Sequence, residues 1–214
     1  MQLMPRLRNI IAGLLVLSPA LAVAGAYEDM MQAIKLDDED AVAALLKQGV
    51  DVNTVSPEGE SLLTLAIKSG KAGVINVILR ARPRVNAYNK YGETALMVAA
   101  LKGQTETVKQ LLDRGAGVNT PDWTPLIYSA VNGHLDVARM LIKHGANVNA
   151  AAENGTTALM MAAREGHMQM LLLLLANGAD VNYRSKFGHS ALSIARDRGK
   201  NDIAEMLVKA GAQE

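Results

Sequence analysis

The sequence predicts an all-α protein built as a stack of about six helix–turn–helix repeats, a solenoid. The first observation is a Val-Asn pair that recurs at spacings of 33, 33, 30 and 33 residues. The second is a glycine that recurs with the same rhythm, including its one shortened interval. Because the Val-Asn pair and the glycine recur with the same spacing, including the shortened interval, they indicate tandem copies of a single unit. The pairs begin at Val52, Val85, Val118, Val148 and Val181, and the glycines are Gly70, Gly103, Gly133, Gly166 and Gly199.

The N-terminal segment, residues 1–26, has the layout of a secretory signal peptide. Arg6 and Arg8 precede an apolar run, which a proline interrupts before a stretch of small residues. At about 15 residues this run is short for a membrane span, which needs about 20. We therefore expect cleavage after Ala24 or Ala26, with an uncleaved anchor as the alternative.

Export follows from this prediction, and we expect a periplasmic location, with secretion as the alternative. Loss of the two leader arginines would change the formal net charge from +1 to −1, because 20 basic residues would then face 21 acidic ones. Acidic and basic residues are interspersed, so the charge pattern favours neither nucleic acid nor a membrane surface as partner after cleavage.

Each repeat contains two short helices in the predicted order helix, turn, helix, polar connection. The first helix of a unit follows a Ser or Thr that can cap its N-terminus, and Pro125 occupies a first helical position, where its missing N–H is not needed. In the unit used as an example, the first helix stops near Gly103, and the second extends from Thr105 to Arg114 and ends at Gly115. Such helices are too short to be stable alone, so each repeat needs its neighbours. The proposed capping residues are Thr94, Thr124, Thr157 and Ser190.

The repeated unit resembles the ankyrin repeat over residues 27–214. The shared pattern is G-x-T-P-L-x-x-A-A-x-x-G-H, followed by V-x-x-L-L-x-x-G-A-x-V-N, and residues 122–149 and 155–182 match it best. The resemblance implies an ankyrin repeat solenoid with short β-hairpin-like fingers between the helix pairs. It also implies a protein that binds other proteins through a concave groove. The repeat boundaries are about 27–53, 54–86, 87–119, 120–149, 150–182 and 183–214.

Two departures from the family pattern lead to specific expectations. The histidine that usually follows T-P-L is replaced by Thr64, Met97, Ile127, Met160 and Ser193. We therefore expect the imidazole hydrogen bonds between neighbouring repeats to be missing and apolar packing to substitute for them. In the second repeat Arg82-Pro83 replaces the usual Gly-Ala, and Pro83 is expected to stop the preceding helix.

The stretch N-T-P-D-W-T-P-L contains Trp123, the only tryptophan of the chain, in a shortened finger. Four residues separate Asn119 from Thr124, whereas seven separate Asn86 from Thr94. Trp123 immediately precedes the helix cap, a position that faces the groove in ankyrin proteins and commonly touches the partner. The alternatives are that the aromatic residues stack finger on finger, or shield the seam exposed by the short hairpin.

The resemblance and the positions of polar and aromatic residues predict a protein-binding surface on the fingers and the exposed ends of the first helices. Aromatic residues are enriched at such interfaces. The candidate partner-binding residues are Lys90, Tyr91, Glu93, Lys102, Trp123, Asn132, Asn154, Thr156, Arg164, Lys186, Phe187 and His189.

Catalytic and metal-binding motifs are absent from the sequence. The chain has no cysteine and lacks the common zinc-protease, nucleophile-elbow, phosphate-loop and dinucleotide signatures. The acidic run 37–40 is expected to serve a helix N-terminus rather than a metal. We expect no cofactor, no metal and no enzymatic activity.

The sequence thus favours a non-enzymatic binding scaffold that is monomeric when free. A purely structural or self-associating stack is the alternative, and a metal-dependent envelope enzyme is a third hypothesis. The run Met168 to Ala176 is about half the length of a membrane span and is expected to be the second helix of its repeat.

Overall fold

The computed structural model describes the backbone of residues 19–213 and the side chains of residues 25–213. Residues 1–18 of the expected signal peptide lie outside this range. The described residues contain twelve helices and no strand, which confirms the predicted fold class. The helices are α1 (Pro19–Leu36), α2 (Glu39–Lys47), α3 (Leu62–Ser69), α4 (Ala72–Arg80), α5 (Ala95–Leu101), α6 (Thr105–Leu112), α7 (Pro125–Val131), α8 (Leu135–Lys143), α9 (Ala158–Glu165), α10 (Met168–Ala176), α11 (Ala191–Asp197) and α12 (Asn201–Lys209).

The helices form two layers. The first helices of successive repeats (α1, α3, α5, α7, α9 and α11) pack against one another in chain order, and each also packs against the second helix of its own repeat. Second helices also contact one another, in the pairs α2 with α4, α6 with α8, and α8 with α10. We call these the first-helix layer and the second-helix layer. The seam between them contains most of the buried apolar side chains.

The first helices begin where the sequence predicts. In each of the last five repeats the side chain of a Ser or Thr accepts a hydrogen bond from the backbone N–H three residues later, and this satisfies one of the N–H groups that a helix start leaves unpaired. Alanine at the following positions allows neighbouring first helices to approach closely. Ala99, Ala130, Ala162 and Ala195 are fully buried.

The acidic run between α1 and α2 has a capping role. Asp38 accepts a 2.9 Å hydrogen bond from the N–H of Ala41, and Glu39 and Asp40 lie in the first turn of α2, where negative charge interacts favourably with the helix dipole. The membrane-like run forms α10, with Met170, Leu171 and Leu174 buried in the seam. The expected role of the acidic run at a helix N-terminus and the assignment of Met168 to Ala176 to a second helix are both confirmed.

The asparagine of each Val-Asn pair joins its repeat to the next one. Asn149 donates from Nδ2 to the carbonyl of Gly178 at 2.9 Å and accepts from the N–H of Asp180 at 2.7 Å. Asn86, Asn119 and Asn182 make the same two bonds with the repeats that follow them. The regular spacing of Val-Asn in the sequence therefore reflects a bridge between repeats.

Histidine also joins neighbouring repeats, contrary to the expectation that such bonds are missing. The Nε2 atom of His134 lies 3.0 Å from the carbonyl oxygen of Leu101, and that of His167 lies 3.1 Å from the carbonyl oxygen of Val131. These imidazoles come from the glycine-histidine step between the two helices rather than from the position after T-P-L. Gln104 makes the equivalent bond to Ile67 at 2.9 Å in the third repeat.

The second helices end in a left-handed turn that glycine normally occupies. The exception is Arg82, whose φ of 56° places a residue with a Cβ atom in a region that glycine adopts without strain. Helix α4 ends at Arg80, and Arg82 lies outside the helical region that the following Pro83 disfavours, which agrees with the expected stop. Helix α6 ends at Leu112, two residues earlier than predicted, because the turn leading to Gly115 begins there.

Replacing Arg82 by glycine should stabilise the protein, because it relieves a left-handed conformation that costs about 1 kcal/mol for a residue with a Cβ atom. The reciprocal change, Gly115→Ala in the next repeat, should destabilise it by about 1 kcal/mol. A Cβ atom on Gly115 would meet no atom within 4 Å, so backbone strain alone sets this cost. Urea unfolding of both variants checks the pair, and a loss of stability in Arg82→Gly would contradict the assignment of strain.

Candidate functional site

The fingers are tight turns that project from the N-terminal ends of the first helices. In four repeats a backbone N–H donates to the carbonyl four residues later, and two of the fingers also contain an isolated β-bridge. They are hairpin-like in this sense, although no strand forms in the described residues. The closing bonds join Ser56 to Glu60, Asn89 to Glu93, Ala152 to Thr156 and Ser185 to His189.

The finger of the fourth repeat is shortened and interrupts this row. Its turn is closed differently, by the Thr120 hydroxyl, which donates to the carbonyl of Trp123 at 3.1 Å. Asp122 takes the place of the finger glycine with a φ of 59°, and its carboxylate accepts a 2.6 Å hydrogen bond from the N–H of Glu153 in the next finger. The shortened finger therefore stands between the full-length fingers of the third and fifth repeats and is bonded to the fifth.

Two aromatic side chains are highly exposed at matching positions of the finger tips. Tyr91 is 68% exposed in the third repeat, and Phe187 is 74% exposed in the sixth. Each directly precedes the finger glycine and follows a lysine, Lys90 or Lys186. The ammonium of Lys90 lies 5.1 Å from the ring centroid of Tyr91. Because little of either ring is buried within the chain, the rings are available to a partner.

Each residue that precedes a first-helix cap can be compared with the residue eight positions later on that helix. In the second repeat, Glu60 immediately precedes the helix cap and forms an ion pair with Lys68, which lies eight residues later on α3. The corresponding pairs in the following repeats are Glu93 and Leu101, Trp123 and Val131, Thr156 and Arg164, and His189 and Asp197. The central pairs are therefore apolar on their helix side.

A cluster of two aromatic rings and two carboxylates lies at the base of the shortened finger. We call Glu93, Asp122, Trp123 and Tyr128 the Trp123 cluster. The rings of Trp123 and Tyr128 are 5.4 Å apart between centroids and tilted by 54°, a geometry that favours aromatic contact. The Tyr128 hydroxyl donates to Oε1 of Glu93 at 3.2 Å, while the Asn89 amide donates to Oε2 at 2.9 Å.

The electrostatic environment of this cluster is negative. Burial, followed by the charge and hydrogen bond of Glu93 and the charge of Asp122, raises the pKa of Tyr128 to about 12. Both carboxylates are thus close enough to affect the phenol. Trp123 is half-buried against Tyr128 and the core, so part of its ring packs within the chain and part remains exposed.

The remaining predicted residues lie either near the C-terminal ends of the first helices or in the fingers. Lys102 and Asn132 are exposed at the C-terminal ends of α5 and α7, where the Asn132 amide donates to the carbonyl of Leu101 at 2.8 Å. Asn154 and Thr156 lie in the fifth finger, where the Asn154 carbonyl accepts from the N–H of Lys186 at 3.1 Å. Arg164 is exposed and pairs with Glu165 at 3.3 Å, and His189 is exposed at the base of the sixth finger.

Tyr128 and Asp122 complete the site, and sequence reasoning missed both. Tyr128 lies four residues after its helix cap, where the other repeats carry Leu65, Val98, Met161 and Ile194. The signal available in the sequence was that a single polar aromatic residue interrupts an otherwise aliphatic row. Asp122 could have been found because it aligns with the finger glycines.

Other features of the described residues offer little chemistry. They contain no group of three or more His, Asp or Glu side chains placed to hold a metal ion. An apolar cavity at the N-terminal end is lined by residues that include Met30, Val50 and Leu62, and its only titratable side chains are Tyr27 and Asp51. None of the helices in the described range is both long enough and apolar enough to cross a bilayer.

Comparison with known proteins identifies the class of this stack. The model of a family described as "Ankyrin repeats (3 copies)" matches residues 30–122, 74–152, 118–185 and 150–214. The chain therefore belongs to the ankyrin-repeat family. Repeats of this family generally mediate protein–protein interactions and are generally not enzymes.

Curated relatives match only part of the chain. A bovine ankyrin repeat and SOCS box protein 2 is 32% identical over 90 residues, which cover 42% of this chain and 14% of that protein. A human ankyrin repeat and KH domain-containing protein 1 is 44% identical over 59 residues, covering 28% and 2%. A human protein phosphatase 1 regulatory subunit 12A is 36% identical over 97 residues, covering 41% and 9%. The chain thus spans a small fraction of each of these relatives.

The raised pKa of Tyr128 predicts a loss of stability at alkaline pH. The phenol ionises near pH 10 in an unfolded chain and near 12 in the folded protein, so the unfolded chain loses this proton first. The contribution of Tyr128 is fully present below about pH 10 and is lost as the pH rises towards 12. Urea unfolding across this range should show a smaller decline for Tyr128→Phe than for wild type. The control Tyr88→Phe, at an exposed finger position, should follow wild type, and an identical decline in all three proteins would contradict the prediction.

Proposed function

We propose that this protein is a non-enzymatic scaffold that binds a protein partner along its fingers and the adjacent face of the first-helix layer. The observation that carries the proposal is the exposure of Tyr91 and Phe187, which project from fingers that are each closed by a backbone hydrogen bond. Exposed aromatic anchors on a preorganised surface lose little conformational freedom when they bind. The ends of the first helices add the charged groups Lys102 and Arg164.

The bonding between repeats supports this function, because it holds the anchors at fixed separations. Asparagine and histidine bridges join consecutive repeats, and the backbone of Lys186 is bonded to that of Asn154 across neighbouring fingers. A side chain on Gly155 would place its Cβ atom 2.8 Å from the Lys186 nitrogen, so these two fingers are packed closely. The groove can therefore present a surface of about 800 Å² to a partner without rearrangement.

Purification of a C-terminally tagged chain from envelope extract tests the binding proposal. We expect wild type to retain a partner and the double variant Tyr91→Ala, Phe187→Ala to retain at least about tenfold less, because aromatic anchors often account for 2 kcal/mol or more of binding. The matched control is Leu172→Ala, which removes an exposed apolar side chain from the second-helix layer. Circular dichroism checks that all variants are folded.

The outcome separates binding from the alternatives. Equal retention of the same partner by wild type and by the double variant would contradict the assigned surface. If wild type retains no partner but sediments as an oligomer that the double variant loses, the exposed aromatics serve self-association. A chain that neither binds nor self-associates would support a purely structural stack.

We also propose that the protein is exported to the periplasm after cleavage that follows Ala24 or Ala26. The support comes from the leader pattern and from the position of the buried residues of α1. Met30, Ala33 and Ile34 are buried, and all three follow both expected cleavage positions, so the first repeat keeps these core contacts after cleavage. Export to the outside of the cell is the alternative destination.

Cell fractionation followed by intact-mass measurement of the tagged chain tests export. We expect the protein in the periplasmic fraction with Gly25 or Tyr27 as its first residue. An arginine-to-glutamate change at Arg6 and Arg8 should retain the uncleaved chain in the cytoplasm, since the positive n-region is removed. A full-length chain with Met1 in the cytoplasmic fraction of the wild type would contradict the proposal.

A further inference from the structure

The Trp123 cluster contains two carboxylates without a cationic partner. No ion pair in the described part of the chain involves Glu93 or Asp122. Glu93 is half-buried and receives its hydrogen bonds from neutral groups, the Tyr128 hydroxyl and the Asn89 amide. A partly buried negative charge that is stabilised only by neutral donors attracts a cation.

The second repeat shows what the chain itself places at the equivalent position. There, Glu60 has the same location as Glu93, and the ammonium of Lys68 neutralises it from eight residues further along. In the third repeat the residue eight positions after Glu93 is Leu101, which cannot supply a charge. The third repeat therefore has no residue at this position that could neutralise Glu93 as Lys68 neutralises Glu60.

The aromatic side chains and the shortened finger suit a flat cation. Trp123 and Tyr128 provide the π faces to which a guanidinium is attracted, and Trp123 remains partly exposed. The fourth finger has three residues fewer than its neighbours, so less of the chain is available to cover these rings. Half-buried Leu101 and Val131 are the last residues of α5 and α7, at the position that Lys68 has on α3, and can contact apolar residues of a partner.

We propose that the Trp123 cluster binds an arginine side chain of a protein partner, with Leu101 and Val131 contacting apolar residues beside it. This inference rests on the proposed binding function and adds the chemistry of the partner. Arginine fits better than lysine because a guanidinium stacks on aromatic rings and can donate to two carboxylates at once. The Glu93 and Asp122 carboxylates supply the acceptors, and the rings supply the stacking surface.

The single tryptophan provides a direct reporter of this site. A random twelve-residue peptide library is first selected on the full chain, and chosen peptides are then titrated while the fluorescence of Trp123 is followed. We expect an arginine at one fixed position of the selected peptides. Its replacement by citrulline, which keeps the shape and removes the charge, should weaken binding about tenfold or more.

Two variants test the same site by changing the charge on the protein instead of the charge on the peptide. Glu93→Gln keeps an acceptor for the Tyr128 hydroxyl and removes the charge, so it should weaken the arginine peptide about tenfold without affecting the citrulline peptide. Leu101→Lys supplies an internal cation, as Lys68 does for Glu60, and should compete with the peptide to a similar degree. The control Glu106→Gln removes a carboxylate from α6 in the second-helix layer and should leave both affinities unchanged.

The results distinguish this inference from the broader binding proposal. One possible result is that a peptide binds the double variant Tyr91→Ala, Phe187→Ala more weakly than wild type, whereas its arginine and citrulline forms bind wild type equally. This result would overturn the arginine assignment and support the broader binding face. Equal affinity for wild type, Glu93→Gln and Leu101→Lys would overturn it in the same way. If no peptide is selected, the arginine site is rejected, and partner retention from envelope extract decides the binding function independently.

Discussion

The register of this stack depends on the asparagine of each Val-Asn pair, which is hydrogen-bonded to the next repeat. Its amide spans from one repeat to the backbone of the next, where it donates to one carbonyl and accepts from one N–H. Burial of apolar side chains in the seam supplies most of the driving force, but such burial is non-directional and tolerates sliding. A side chain with both a donor and an acceptor fixes the rotation and rise of each repeat on its neighbour. Asn53 makes only the accepting bond, to the N–H of Arg84, at the point where Arg82-Pro83 replaces the usual Gly-Ala.

This register explains how the fourth repeat can lose three finger residues without disturbing the stack. Asn119 still bonds both Gly145 and Asn147, and α7 still packs between α5 and α9. The deletion is therefore confined to the finger row, where it changes the shape of the surface rather than the core. A stack whose repeats stay in register around one shortened finger keeps the neighbouring side chains in place, which reduces the cost of ordering them on binding.

The local elements could be predicted from the sequence because their signals are local. A Ser or Thr before an apolar run identified helix starts, and recurring glycines identified turns, since a capping hydroxyl and a positive φ act within a few residues. The expectation that imidazole bonds between repeats are missing was wrong because these bonds are not local. Whether His134 and His167 reach the preceding repeat depends on packing between units, and their neighbours in sequence do not reveal it. Tyr128 was missed likewise, because its hydrogen bond to Glu93 joins residues 35 positions apart.

The sequence by itself determined the repeat length, the helix pairs, the family and the exceptional place of Trp123, because each is encoded in a periodic pattern and in one departure from it. Only the tertiary structure decided what surrounds Trp123. The stacking of the repeats places the indole 5.4 Å from the ring of Tyr128 and brings Glu93 from the preceding repeat to the same point, where neither Glu93 nor Asp122 forms an ion pair with any described residue. Distances between side chains of different repeats depend on how the repeats stack, and a linear pattern specifies the order of units but not the contacts formed across their boundaries.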